Sequence, residues 1–241
     1  MWAEWITPEN VDSHIWPRNA VIAERLWSPQ SVTDVTSMYT RMSAVSLDLE
    51  WLGLTHRSAR MHMLHRLAGT ADISALRVFA DVVEPVKDYG RGDDESTPDF
   101  DAPLTHMIDA VYPESDTARQ FAGLVQTYLQ SGAKDQASET QIRAWLALWR
   151  DNDAKLHPLL DQSFLLQEDA PLSQELSALG AAGLQALDFF DKSQPAPGAW
   201  KTQQLALIEQ AKKPAAGLLL MVAAPIQQLI EAGGQPAKTG P

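Results

Sequence analysis

The sequence predicts a mainly α-helical protein: one N-terminal strand and helix of the kind that ends a (β/α)8 barrel, followed by an all-helical array. Three observations carry this. Strand-forming residues gather in the first six positions, "MWAEWI", before the breaker Thr7-Pro8. The next stretch, "VDSHIWPRNAVIAERLWSP", reads as a helix with a small-residue face at Ala20, Val21 and Ala23. From there on, apolar residues recur at helical spacing. A lone strand leaves its backbone N–H and C=O groups unpaired, and a strand, short loop and small-residue helix is half of a βα repeat. The strand is therefore expected either to pair with an edge in another chain or to belong to a sheet whose other strands lie outside this sequence, in which case Met1 is an internal methionine of a longer chain.

Taken in order, the first helix has Asp12 or Ser13 as its cap, Pro17 early and Pro29 at its end. The second, in "SVTDVTSMYTRMSAVSLDLEWLGL", has Ser31 or Thr33 as its cap and Gly53 as its stop. Met38, Met42, Val45, Leu49 and Leu52 give it a core stripe. "HRSARMHMLHRLAG" makes a short third helix closed by Gly69. "DISALRVFADVVEPV" is expected to be helical up to Pro85, and "DYGRGDDESTPDFDAP" to be an acidic loop. Further helices are expected near 104–111, 114–131, 136–150, 171–191, 199–212 and 215–231, then a polar tail.

The net charge of −12 argues against nucleic acid and anionic membranes as partners. Residues 1–68 hold six arginines, no lysine and seven acids, a net −1, so residues 69–241 carry the remaining −11. That shift sets an expected domain boundary near residue 69, dividing 1–68, which opens with the βα unit, from the helical 69–241. The absence of cysteine removes disulfides, thiolate metal sites and a cysteine nucleophile. The most apolar stretch, "PAAGLLLMVAAPIQQLI", is interrupted by Pro225 and is too short to span a bilayer. The chain is expected to be soluble, and export or a periplasmic location of the parent protein stays open.

Trp2 and Glu4 are two apart, so on a strand they point to one side. Around them, Trp2-Ala3-Glu4, Trp16-Pro17-Arg18 and Glu24-Arg25-Leu26-Trp27-Ser28 together resemble the segment that closes the catalytic barrel of glycoside hydrolase family 20, the β-N-acetylhexosaminidases. "YTRMSAVSLDLEWLGL" is similar to that family's post-barrel helix. The specific likeness covers about residues 1–55, and the rest looks like the C-terminal extension of some bacterial members.

The resemblance implies that Trp2 is an aromatic wall around the N-acetyl group and sugar face. It implies that Glu4 accepts hydrogen bonds from the 4- and 6-hydroxyls of the terminal sugar. It places substrate-assisted retaining hydrolysis in the parent enzyme, with no cofactor, and a catalytic Asp-Glu pair in a His-Xaa-Gly-Gly-Asp-Glu context on an earlier strand. That motif does not occur in this sequence, so the chain alone is expected to be inactive. The partners implied are N-acetylhexosamine-containing glycans, through the intact enzyme, and the N-terminal barrel portion. Arg18 and Arg25 read as scaffold, pairing with Glu24 or with an acid at the base of the barrel.

Other patterns carry less. His62 and His65 are spaced i, i+3 without a third ligand, and no metal is expected. Trp145 and Trp149 read as a packing stripe, and Asp93–Glu95 as solvated acids. The alternative to the enzyme reading is a non-catalytic helical module used for interaction or for shielding the barrel.

Overall fold

The computed structural model describes residues 5–87, 104–192 and 194–233, and over them the chain is mainly α-helical. The expected strand at 1–6 falls largely outside the described residues; Trp5 lies in a bend and Ile6 in irregular backbone. The expected acidic loop at 88–103, with Asp93–Glu95, also lies outside them, as does the tail from 234.

The first expected helix is two helices: α1 (Val11–Ile15) and α2 (Arg18–Trp27). Pro17 divides them, with a cis Trp16–Pro17 bond. Its ring disfavours helical backbone at the preceding residue, and Trp16 is extended at φ −110°, ψ 151°. α3 (Val35–Trp51) starts later than expected, because Asp34 rather than Ser31 or Thr33 caps it, accepting from Ser37 N at 2.9 Å. Its apolar stripe is only partly core. Met42 is buried, whereas Val45 is 36% and Leu52 82% exposed. α2 is the neighbouring helix that packs along α3, so much of its surface meets no other part of the described chain.

α4 (Ser58–Ala68) closes on Gly69 in the left-handed region at φ 62°. α5 (Ser74–Ala80) stops earlier than expected, and β1 (Val83–Pro85) follows. α6 (Met107–Ala110), α7 (Asp116–Gln130) and α8 (Gln136–Arg150) come next. Ser115 and Asp135 cap the last two through their side chains. α9 (Asp153–Gln162) has no counterpart among the expected helices, and Pro158 lies inside it. Leu156 and Leu160, one turn apart and fully buried, hold it helical against the array.

A 3-10 turn (Gln167–Asp169) leads into α10 (Ala170–Asp191), the longest helix. α11 (Gly198–Ala211), β2 (Leu218–Leu220) and α12 (Ala223–Ala232) complete the chain. The helix expected at 215–231 is thus a strand and a shorter helix. Ala216 and Gly217, at φ 49° and 70°, cannot continue a right-handed helix. They turn the chain so that β2 pairs antiparallel with β1, Val83 opposite Leu220 and Pro85 opposite Leu218.

The core is one cluster running from Met63 to Ile230. α7 contributes Phe121, Val125 and Tyr128, and α8 contributes Ile142, Leu146 and Trp149. Trp149 meets Phe121 edge-on at 4.7 Å and stacks with the half-buried Trp145 at 6.1 Å, so the tryptophan pair is packing. α10 lies across α8 at very short range. A Cβ at Gly180 would stand 2.6 Å from Arg150 N and from Leu146 O; one at Gly183 would stand 2.6 Å from Leu146 Cδ2.

Two predictions follow from this packing. Alanine in place of a helical glycine ordinarily stabilises by about 1 kcal/mol. Gly180→Ala is expected to do the opposite, lowering stability by about 1–3 kcal/mol because backbone rather than a side-chain tip blocks the methyl. Gly183→Ala should cost less, and urea unfolding midpoints of the two variants measure the difference.

Asp169 is fully buried, and neither carboxylate oxygen has a hydrogen-bond partner. Burial, with Glu168 adding to it, pushes its carboxyl up to about 8. A group raised in the folded state is tolerated best below its ordinary value of 3.8, and stability falls as pH rises from there through about 8. Asp169→Asn should therefore show little advantage in thermal midpoint at pH 4 and a growing one up to pH 8.

Candidate functional site

Trp2 and Glu4 lie outside the described residues. What the structure describes is the frame that leads on from them. Thr7 and Asn10 bond reciprocally: Thr7 N donates to Asn10 Oδ1 at 2.8 Å, and Asn10 N to Thr7 Oγ1 at 3.3 Å. Glu9 pairs with Arg66 of α4 at 2.8 Å. Asp12, expected as a cap, instead accepts from Thr55 N at 2.8 Å and Thr55 Oγ1 at 3.1 Å. Residues 7–16 are thereby tied to the α3–α4 corner and to α4.

The expected role of Arg18 or Arg25 toward Glu24 is not what forms. Glu24 pairs with Arg41 of α3, Arg25 donates to Val32 O, and Arg18 donates to His14 O at 2.8 Å. α2 and α3 lie side by side, which brings Arg41 to Glu24 from a different helix. Arg18 sits half-buried where this N-terminal segment meets the array. Desolvation lowers its pKa, opposed by the nearby Glu114 and Glu84.

Around Arg18 the segment is bound to the array by charge. Tyr39 donates to Glu114, which with burial raises the phenol to about 12. The Arg119 guanidinium lies 3.7 Å from the centre of the Tyr39 ring. The buried Glu84 on β1 accepts from Ser115 N at 2.6 Å and pairs with Lys87 at 2.7 Å. Buried Arg60 of α4 pairs with Asp81 at 2.8 Å and covers the ring of Tyr112 at 4.3 Å.

Between α1, α3 and the 112–116 loop is a cleft of about 130 Å³, lined among others by Trp16, Arg18, Ser46, His56, Arg57 and Tyr112. His56 is 1% exposed, and its Nε2 is 2.8 Å from Ser46 Oγ. Its Nδ1 has no hydrogen-bond partner and lies 3.5 Å from Glu50 Oε1. Desolvation lowers the imidazole pKa, with Glu50 opposing. Burial tends to raise the Glu50 carboxyl, but N–H bonds from Arg57 and Ser58 outweigh it and hold the group below the usual range. The sequence analysis singled out none of these three. Ser46 and Glu50 are an ordinary i, i+4 pair on a helix, and His56 reaches them only because the chain doubles back at the corner.

Among the described residues, no group of three or more His, Asp or Glu side chains could hold a metal. His62 and His65 are exposed, and His65 Nδ1 lies 3.2 Å from Thr70 O. No helix among the described residues is long and apolar enough to cross a membrane.

Comparison with known proteins bears on the N-terminal segment first. The family described as "Glycosyl hydrolase family 20, catalytic domain" matches residues 1–30. The β-hexosaminidase subunit β of Mus musculus is 40% identical over 43 residues, 18% of this chain and 8% of that protein. The β-hexosaminidase subunit A1 of Dictyostelium discoideum is 46% identical over 54 residues, 22% of this chain and 10% of that protein. The chain thus spans a tenth or less of the length of these relatives. Its likeness to a solved structure, the chitobiase of Flavobacterium johnsoniae, is far wider. It extends over 95% of this chain and 34% of that one, with 34% identity and a TM-score of 0.84. The helical array is therefore part of the same likeness as the motif-bearing N-terminus, and the chain carries part of a protein of glycoside hydrolase family 20.

Proposed function

We propose that the chain is the C-terminal part of a β-N-acetylhexosaminidase that removes terminal N-acetylhexosamine residues by substrate-assisted retaining hydrolysis. The observation that carries this is the match of residues 1–30 to the family's catalytic domain, within a likeness to a chitobiase over nearly the whole chain. In this reading Trp2 walls the sugar face and Glu4 accepts its hydroxyls. The catalytic Asp-Glu pair belongs to a strand outside this sequence, and the substrate's own acetamido oxygen is the nucleophile.

The surface of α2 and α3 supports the same reading. Large exposed apolar side chains concentrate between Ile22 and Leu52, with Leu26 at 80%, Trp27 at 90%, Trp51 at 92% and Leu52 at 82% exposure. Apolar side chains this open are ordinarily covered by another surface. The proposed cover is the remainder of the barrel, whose last helix would be α2. The division into 1–68 and 69–241 belongs to this proposal, with α4 as the bridge, since Met63, Leu64 and Leu67 enter the core of the array.

Two measurements test the reading. The 241-residue chain should not hydrolyse a fluorogenic N-acetylglucosaminide, whereas a protein extended N-terminally through a complete family 20 barrel should. In that protein Glu4→Gln is expected to lower kcat/KM about 10- to 100-fold, the scale of one or two charge-assisted hydrogen bonds. Trp2→Ala is expected to lower it similarly. Full activity in both variants would remove these residues from the site. An extended protein that stays inactive while folded would favour the non-catalytic helical module.

A further inference from the structure

We propose that Ser46, His56 and Glu50 form a serine nucleophile relay opening on the cleft of about 130 Å³, able to take an acyl group from a small ester. Their surroundings select the tautomer. His56 Nδ1 has no hydrogen-bond partner, and the carboxylate of Glu50 lies 3.5 Å from it, so the ring proton is best placed on Nδ1. Nε2 is then the acceptor and takes the Ser46 hydroxyl proton at 2.8 Å. Glu50 is itself fixed: its Oε1 accepts from Arg57 N at 2.5 Å and Ser58 N at 3.2 Å, which holds the carboxylate charged and aimed at the imidazole. Nucleophile, base and orienting carboxylate thus stand in series, the arrangement that activates a hydroxyl.

Ser46 and His56 both line the cleft, so the relay opens on space a substrate can enter. That volume suits an acyl group of a few heavy atoms rather than a sugar chain. Arg18 and Arg57 line the same cleft and place positive charge beside an oxyanion formed there. In the acylation step, Ser46 Oγ bonds to the ester carbonyl carbon as its proton passes to His56 Nε2. The bond from that carbon to the leaving oxygen then breaks, and His56 returns the proton to the departing alkoxide. Water repeats the sequence on the acyl-serine, releasing a carboxylic acid and regenerating the hydroxyl. Nothing in this requires the sugar-binding residues at the N-terminus, so the relay is independent of the glycosidase reading.

The test is covalent labelling of the full chain with a fluorophosphonate, read by intact mass and peptide mapping, beside the burst of p-nitrophenol from p-nitrophenyl acetate. The expected result is one adduct per chain, mapped to Ser46, lost in Ser46→Ala and slowed about 100-fold or more in His56→Gln. Glu50 acts through His56 as a positioning residue. Glu50→Gln should slow labelling and move the midpoint of its pH profile to lower pH, because the carboxylate favours the protonated ring. Circular dichroism and thermal midpoints confirm that each variant is folded, so lost labelling reports chemistry. No adduct on the folded wild-type chain, an adduct at another residue, or equal labelling of Ser46→Ala would overturn the proposal.

Discussion

The helical array depends on one close approach, that of α10 to α8. Gly180 brings the backbones of the two helices together, with no room for a methyl group between its Cα and the Leu146–Arg150 stretch. From that contact α10 presents Leu172, Leu176, Leu179 and Leu187 to the surrounding helices, all fully buried. α7, α9, α11 and α12 pack around this pair, and the short β1–β2 ladder ties residues 83–85 to residues 218–220. An interior this dense allows little adjustment, so the approach of the first two helices constrains where the others sit.

The N-terminal segment is held differently. α2 has no buried residue and α3 has two, Met42 and Ser46. Its attachments to the array are polar: Glu9 to Arg66, Tyr39 to Glu114, and the ring of Tyr39 under Arg119. Charged pairs at partly exposed sites stabilise modestly, while a hydrophobic core stabilises in proportion to the area it removes from water. The two parts therefore differ in what they need. The array has its own core, and the segment keeps an apolar face toward whatever covers it.

The cleft at the α3–α4 corner lies where these regimes meet. His56 is buried by the fold of the corner, yet its ring has one satisfied nitrogen and one that faces a carboxylate across 3.5 Å. Buried groups of this kind stand out because most buried polar atoms in a folded protein are paired. Asp169 has a similar character inside the array, but the charge beside it, Glu168, is of like sign, and its consequence is for stability.

Much of this was legible in the sequence. Apolar spacing located α7, α8 and α10 closely, since a 3.6-residue period decides such helices. The motifs around Trp2, Trp16 and Glu24 identified the family, because residue types at fixed spacing survive in sequence whatever surrounds them. The spacing could not say which apolar stripe would be covered, and so Leu52 and Val45 read as core. Nor could it separate a strand from a helix in the run through Leu218–Leu220, where left-handed backbone at Ala216 and Gly217 and a partner more than 130 residues away at β1 decide the outcome. Nor did it show α9, where the burial of Leu156 and Leu160 holds the chain helical around Pro158. The sequence by itself determined helical content and family. Only the tertiary structure decided which faces are buried and which side chains, such as Ser46, Glu50 and His56, come together, because these depend on contacts that local patterning does not encode.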